Sequence, residues 1–179
     1  MGPLIVLLLR IFVPITIFRW PLAAGIVAML LDGADVILAD AIGYGHFPTV
    51  DTFYRRNYHL LDKYLDMYYL FFEFIVSLRW QELLARWTSA FLFIWRALGF
   101  ALFEFTGIRI ILFFAPNLFE NFYIFYLAAR KIYPEWQVRT KKRLFIILAM
   151  LYIPKFGQEY LLHVKQAQPW TWFKAEFLK

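Results

Sequence analysis

The stretch PLAAGIVAMLLDGADVILAD, residues 21–40, decides the fold class. It is an apolar run of the length that crosses lipid, because a spanning helix needs about 20 mostly apolar residues. Its second half nevertheless carries three aspartates. The whole chain of 179 residues is 62% hydrophobic and 22% aromatic, whereas soluble domains are about 45–50% apolar. The composition therefore predicts an integral membrane protein.

Six segments have the apolar content of spanning helices: 3–18, 21–39, 59–78, 88–105, 108–130 and 143–161. Residues 40–58 contain Gly, Pro and two arginines and are predicted to form a loop. Pro116 and Asn117 are predicted to break the fifth segment. Residues 162–179 carry tryptophans among lysines, which predicts an interfacial tail. Because lipid offers no partner for backbone N–H and C=O groups, we predict an all-α fold, a single polytopic transmembrane helix bundle of about six helices.

The charge and cysteine content exclude several classes of function. The chain has no cysteine, so disulfides and thiolate chemistry are excluded. Its net charge is +6, but scattered Lys and Arg in a membrane chain mark interfaces and anionic headgroups. Membrane lipids are therefore the predicted partners, and no nucleic-acid partner is predicted. The sequence leaves open whether the chain forms a homodimer or a larger membrane complex.

All six aspartates lie between Asp32 and Asp66. Asp32 and Asp35 are three residues apart and Asp62 and Asp66 are four apart, so each pair shares one helix face. Segments two and three are predicted antiparallel neighbours, which brings the four carboxylates to one depth. They repel one another by several kcal/mol unless a cation neutralises them or protons stay bound. All-oxygen ligands predict Mg²⁺ or Mn²⁺, with Ca²⁺ as a further possibility.

A simpler interpretation of the aspartates stays open beside the metal site. Aspartate at a helix end often caps the helix or faces interfacial water. Asp62 could then pair with Lys63 or Arg55 in a solvated ion pair.

The aspartate spacing resembles the signature of the CDP-alcohol phosphatidyltransferases. Asp32-x-x-Asp35 is followed by Ala39, and Asp62-x-x-x-Asp66 opens the next segment. The resemblance implies metal ligands at Asp32, Asp35 and Asp62, with Asp66 as a further ligand or the catalytic base on the acceptor alcohol. It also implies a phosphate-linked lipid or nucleotide donor. The segments FEFTGIR, FAPNLFENFYIFY and PKFGQEYLLHV resemble a group of bacterial multi-pass membrane proteins, which implies the bacterial cytoplasmic membrane.

The chain departs from that signature at three positions. Val36 and Tyr58 stand where the family has Gly, and Asp40 stands where it has Arg. Two hypotheses follow. The first, which the four spaced aspartates favour, is metal-dependent transfer of a phosphate-linked group to an alcohol in phospholipid-type metabolism. The second, which the substitutions favour, is a non-catalytic membrane accessory or lipid-binding subunit with a degenerate site.

Other polar residues in apolar segments complete the candidate site. Arg96 is a lone arginine in the fourth segment, so it is predicted to face the bundle interior, where it binds phosphate or pairs with Asp66 or Glu73. The substrate-binding candidates are Arg96, Arg109, Asn117 and Glu120. Arg109 has an alternative as an interfacial ion pair with Glu104. The second-tier candidates are Asp40, Glu159 and His163.

Overall fold

The computed structural model describes residues 1–161 and 165, and within them all regular structure is helical. The seven α-helices are α1 (Gly2–Ile15), α2 (Pro21–Ile42), α3 (Pro48–Ser77), α4 (Leu83–Thr106), α5 (Ile110–Phe114), α6 (Leu118–Ile132) and α7 (Lys141–Glu159). Short 3₁₀ turns cover Thr16–Phe18 and Pro134–Trp136. The predicted all-α class is confirmed.

Three of these helical segments are long and apolar enough to cross a membrane: Pro21–Ile42, Leu83–Thr106 and the interrupted segment Ile110–Ile132. The protein is therefore a membrane protein. The first segment, Gly2–Phe18, is apolar but shorter. The other predicted spans, 59–78 and 143–161, fall largely within α3 and α7. These two helices are long but are not apolar enough to be counted as membrane-crossing segments.

The connection between α2 and α3 is much shorter than predicted. We expected a loop over 40–58, but α2 runs to Ile42 and α3 begins at Pro48. Proline is favoured in the first turn of a helix, where its missing N–H is not needed. Asp51 in that turn accepts a 2.6 Å hydrogen bond from the Gly45 N–H, which closes the turn. The loop prediction was wrong because it treated Pro48 as a breaker rather than as a helix start.

The N-terminal helix packs tightly along α2 in the antiparallel direction. The Gly2 N–H donates to the Gly43 carbonyl at 2.8 Å. A Cβ on Gly2 would lie 2.1 Å from the Ala39 carbonyl oxygen, so only glycine permits this approach. The contact fixes the register of the hairpin. It places the middle of α1 beside the aspartates of α2.

The core is centred on the aromatic side of α6. Phe119, Phe122 and Tyr123 are fully buried there. Trp80, in the α3–α4 turn, stacks on Tyr126 with a ring-centroid distance of 3.8 Å. These rings hold α3 and α4 against α6.

The predicted break between α5 and α6 is confirmed. Side chains of α4 donate hydrogen bonds to the backbone carbonyls that the break leaves free. Trp95 Nε1 donates to the Phe114 carbonyl and Arg96 Nη1 to the Ala115 carbonyl, each at 3.0 Å. Gly99 lies directly against Ala115, since a Cβ on it would lie 2.1 Å from the Ala115 Cβ. The irregular backbone is thus covered by protein, as membrane depth requires.

A polar stripe runs along α3 toward the bundle interior. Asp62, Asp66, Tyr69 and Glu73 follow one another at intervals of four, three and four residues, which is one face of a helix. Glu73 is fully buried, and neither of its carboxyl oxygens has a hydrogen-bond partner among the described residues. The stripe explains why this long helix is too polar to count as an apolar span.

Candidate functional site

Three of the four predicted carboxylates meet at one arginine from α1. Arg10 Nη1 donates to Asp35 Oδ2 at 2.5 Å and to Asp62 Oδ1 at 2.9 Å. Its Nη2 donates to Asp32 Oδ1. The Arg10 side chain is only 4% exposed. A buried guanidinium therefore supplies the positive charge that these carboxylates need.

Asp35 has no room for a further ligand. Its Oδ1 accepts the Val36 N–H at 2.6 Å and the Tyr58 hydroxyl at 3.0 Å. The side chain of Asp35 is 3% exposed. Tyr58 is one of the positions that depart from the phosphatidyltransferase signature, and its hydroxyl helps to fill the site. The Val36 contact is a backbone N–H that glycine would also supply.

Asp66 lies apart from this triad and faces Arg96. Arg96 Nη2 is 3.5 Å from Asp66 Oδ2, a longer contact than those of Arg10 with its carboxylates. Asp66 Oδ1 is buried and has no partner among the described residues. The predicted convergence of four carboxylates is thus a set of three around Arg10, with the fourth beside Arg96.

The start of α6 contributes a second polar cluster. Glu120 Oε1 accepts the Tyr69 hydroxyl at 2.6 Å, and Glu120 Oε2 accepts Asn117 Nδ2 at 3.1 Å. The Asn117 N–H donates to Glu159 Oε1 at 3.2 Å. Lys155 lies 3.6 Å from the same Glu159 oxygen. These bonds tie α3, α6 and α7 together around the break.

A polar cavity of about 390 Å³ joins these groups in the bundle interior. Its volume lies within the range of small-molecule sites, about 300–1,000 Å³. Lys63 lies on its wall and places its ammonium 3.7 Å from the centre of the Phe103 ring. The residues lining the cavity are Met29, Asp32, Gly33, Asp62, Lys63, Asp66, Arg96, Leu112, Asn117, Glu120, Asn121, Lys155, Gln158 and Glu159.

The cavity gathers most of the predicted site residues and leaves others outside. Asp32, Asp62, Asp66, Arg96, Asn117, Glu120 and Glu159 line it. Asp35 is buried behind it with Arg10. Asp40 is exposed near the end of α2, and Arg109 is exposed at the N-terminal end of α5. His163 and the predicted tail, apart from residue 165, lie outside the described residues.

A divalent metal does not fit the aspartates as the structure arranges them. Asp32, Asp35 and Asp62 each direct a carboxylate oxygen at the Arg10 guanidinium, so a cation already occupies the point where they converge. Within residues 1–161, no group of three or more His, Asp or Glu side chains is arranged to hold a metal ion. Binding of Mg²⁺, Mn²⁺ or Ca²⁺ stays a prediction of the sequence.

Several site residues were not identified from the sequence. Arg10 is a lone charge in an apolar segment, and the reasoning that placed Arg96 inside the bundle applies equally to it. Lys155 in the seventh helix carries the same signal. Tyr58 and Tyr69 carry none, because hydroxyl contacts of tyrosines depend on helix pairing.

Comparison of the chain with protein-family models, curated proteins and solved structures finds no match. The resemblance to the phosphatidyltransferases therefore stays an expectation based on the aspartate spacing.

Proposed function

We propose that this chain is a non-catalytic integral membrane protein that binds a lipid headgroup in its polar cavity. The observation that carries the proposal is the contact of Arg10 with Asp32, Asp35 and Asp62. Catalysis of the predicted kind needs a metal held by these carboxylates, and the guanidinium takes that position. The geometry thus favours the second of the two sequence hypotheses.

The cavity supports a lipid as the ligand. It is lined by polar side chains, and three of the helical segments that contribute to it, Pro21–Ile42, Leu83–Thr106 and Ile110–Ile132, are long and apolar enough to cross a membrane. A phospholipid headgroup presents charged groups to such a site from within the bilayer. Arg96 and Lys155 provide cationic groups, and Arg96 has the fork geometry that suits phosphate oxygens. The bacterial cytoplasmic membrane is the proposed location, based on the resemblance to bacterial multi-pass proteins.

The substitution Gly33→Leu tests whether the cavity holds a lipid. Gly33 lines the cavity, and a Cβ there would have no heavy atom within 4 Å. A leucine side chain therefore enters open space and obstructs the ligand without a clash at its Cβ. We expect lipid that copurifies with the wild-type protein to fall at least severalfold in the variant, as quantified by mass spectrometry after detergent exchange.

Gly157→Leu is the matched control for Gly33→Leu. Gly157 is also a helical glycine with open space around a Cβ, and it is not among the cavity-lining residues. Its leucine variant should retain the wild-type amount of lipid. Equal retention in both variants, or a wild-type protein without bound lipid, would contradict the proposed function.

Divalent metal is expected to leave the stability of the wild-type protein unchanged. A ligand at 100 times its dissociation constant adds about 2.7 kcal/mol to a folded state that alone binds it. Because Arg10 already pairs with the carboxylate oxygens that would bind the metal, Mg²⁺ and Mn²⁺ should not raise the free energy of unfolding. Thermal unfolding in detergent, with NaCl matched for ionic strength, measures this. A clear rise in Tm with either metal would restore the transferase hypothesis.

A further inference from the structure

We propose that the cavity selects a primary ammonium group, and that the lipid which supplies it is an aminophospholipid such as phosphatidylethanolamine. The inference deepens the proposed function and rests on it. Three features of the cavity carry it: its charge balance, its unpartnered acceptors and one unpartnered donor.

The charge balance of the cavity favours a cation. Together with the Arg10 triad, it contains six acidic and four basic side chains, a formal excess of two negative charges. The acidic members are Asp32, Asp35, Asp62, Asp66, Glu120 and Glu159, and the basic members are Arg10, Lys63, Arg96 and Lys155. Like charges at low dielectric repel strongly, and a cationic ligand relieves the excess while the carboxyl groups stay ionised.

Two buried acceptors in the cavity wall lack a donor. Asn117 is 5% exposed, and its Oδ1 has no partner among the described residues. Because Asn117 Nδ2 donates to Glu120, the amide orientation is fixed with oxygen away from that carboxylate. Asp66 Oδ1 is the other buried acceptor without a partner. A buried acceptor that is left unpaired costs free energy.

A primary ammonium satisfies these acceptors better than other cations of lipids. It carries three N–H donors, so it can donate to acceptors of the kind that Asp66 and Asn117 leave unpaired. The quaternary ammonium of phosphatidylcholine has the same charge but no N–H donor. The cavity therefore distinguishes these two headgroups by hydrogen bonding rather than by charge.

The phosphate next to the ammonium also has a potential partner. Arg96 Nε is a buried donor without a partner among the described residues, and the same guanidinium lies beside Asp66. A headgroup with an ammonium and a phosphate oxygen close together matches an acceptor and a donor that lie side by side. A headgroup with only an anion leaves Asp66 and Asn117 unsatisfied.

Thermal unfolding of the delipidated protein with three lipids of identical acyl chains tests the proposal. The lipids are phosphatidylethanolamine, phosphatidylcholine and phosphatidylglycerol, each titrated in mixed micelles. We expect phosphatidylethanolamine to bind about tenfold or more tightly than the other two, the range expected for a hydrogen bond to a charged group. Free ethanolamine is titrated in a fourth arm.

Asp66→Asn provides the matched variant, because it keeps the side-chain size and removes the charge. Its preference for phosphatidylethanolamine should fall severalfold, because an amide oxygen accepts a weaker hydrogen bond from the ammonium than a carboxylate does. Glu104→Gln is the control, since Glu104 is an exposed acid on α4 that is not itself a lining residue, and it should keep the full preference. An Asp66→Asn variant with unchanged preference would overturn the proposal.

The outcomes separate the ammonium proposal from the proposed function. Equal stabilisation by all three lipids, abolished by Gly33→Leu, would overturn ammonium selection and leave lipid binding intact. No stabilisation by any lipid or by ethanolamine would overturn both. Stabilisation by ethanolamine but by none of the lipids would support the ammonium site and overturn the lipid as its source.

Discussion

Arg10→Ala is expected to lower the free energy of unfolding by about 3–5 kcal/mol, the cost of removing one partner from a buried ion pair. Asp32, Asp35 and Asp62 would then face one another with no cation between them. The free-energy penalty is largest for Asp35, because it is the most buried of the three. Chemical unfolding in bicelles measures the loss.

Arg19→Ala is the control for this substitution. Arg19 is an exposed arginine in the same N-terminal hairpin, so its removal should change stability by no more than about 0.5 kcal/mol. Adding Asp35→Asn to Arg10→Ala should recover part of the loss, since it removes one of the repelling charges. Mn²⁺ should likewise stabilise Arg10→Ala while it leaves the wild type unchanged. Equal effects of Arg10→Ala and Arg19→Ala would refute the role given to the triad.

Trp80→Ala is expected to cost about 3–5 kcal/mol, as for other large aromatic side chains deleted from a core. Trp80 is 4% exposed and stacks on Tyr126 and Tyr123. Its removal leaves a void where the α3–α4 turn meets α6. The same unfolding measurement applies.

Trp87 offers the same deletion at an exposed position. It lies on α4 and is 68% exposed, so Trp87→Ala should cost well under half of what Trp80→Ala costs. A similar loss of stability in the two variants would mean that stacking of Trp80 in the core contributes no more than an exposed tryptophan does.

The features predictable from the sequence are those that depend on local pattern. The apolar length of 21–39 predicted a helix, and α2 spans Pro21–Ile42. Pro116 and Asn117 predicted a break, and α5 ends at Phe114 while α6 begins at Leu118. The first follows from a continuous apolar run and the second from residue types within one turn of the break.

The site was predictable only as a set of residues that share a region. Asp32, Asp62, Asp66 and Asn117 were identified and do line one cavity. The spacing of the aspartates did not indicate that Arg10 is the cation that neutralises them. Arg10 is 22 residues before Asp32, and its position depends on how closely α1 approaches α2, which Gly2 permits. Such a contact depends on tertiary packing rather than on sequence period.

The polar stripe of α3 has a consequence for how the protein enters the bilayer. Acidic residues at the centre of a helix oppose its transfer into lipid by about 2.5–3.5 kcal/mol each on the insertion scale. Asp62, Asp66 and Glu73 therefore make α3 a poor segment for independent release from the insertion machinery. The α1–α2 hairpin is synthesised first and already carries Arg10, so the counter-charge for Asp62 is in place when α3 emerges. The order of the helices along the chain is thus also a workable order of assembly.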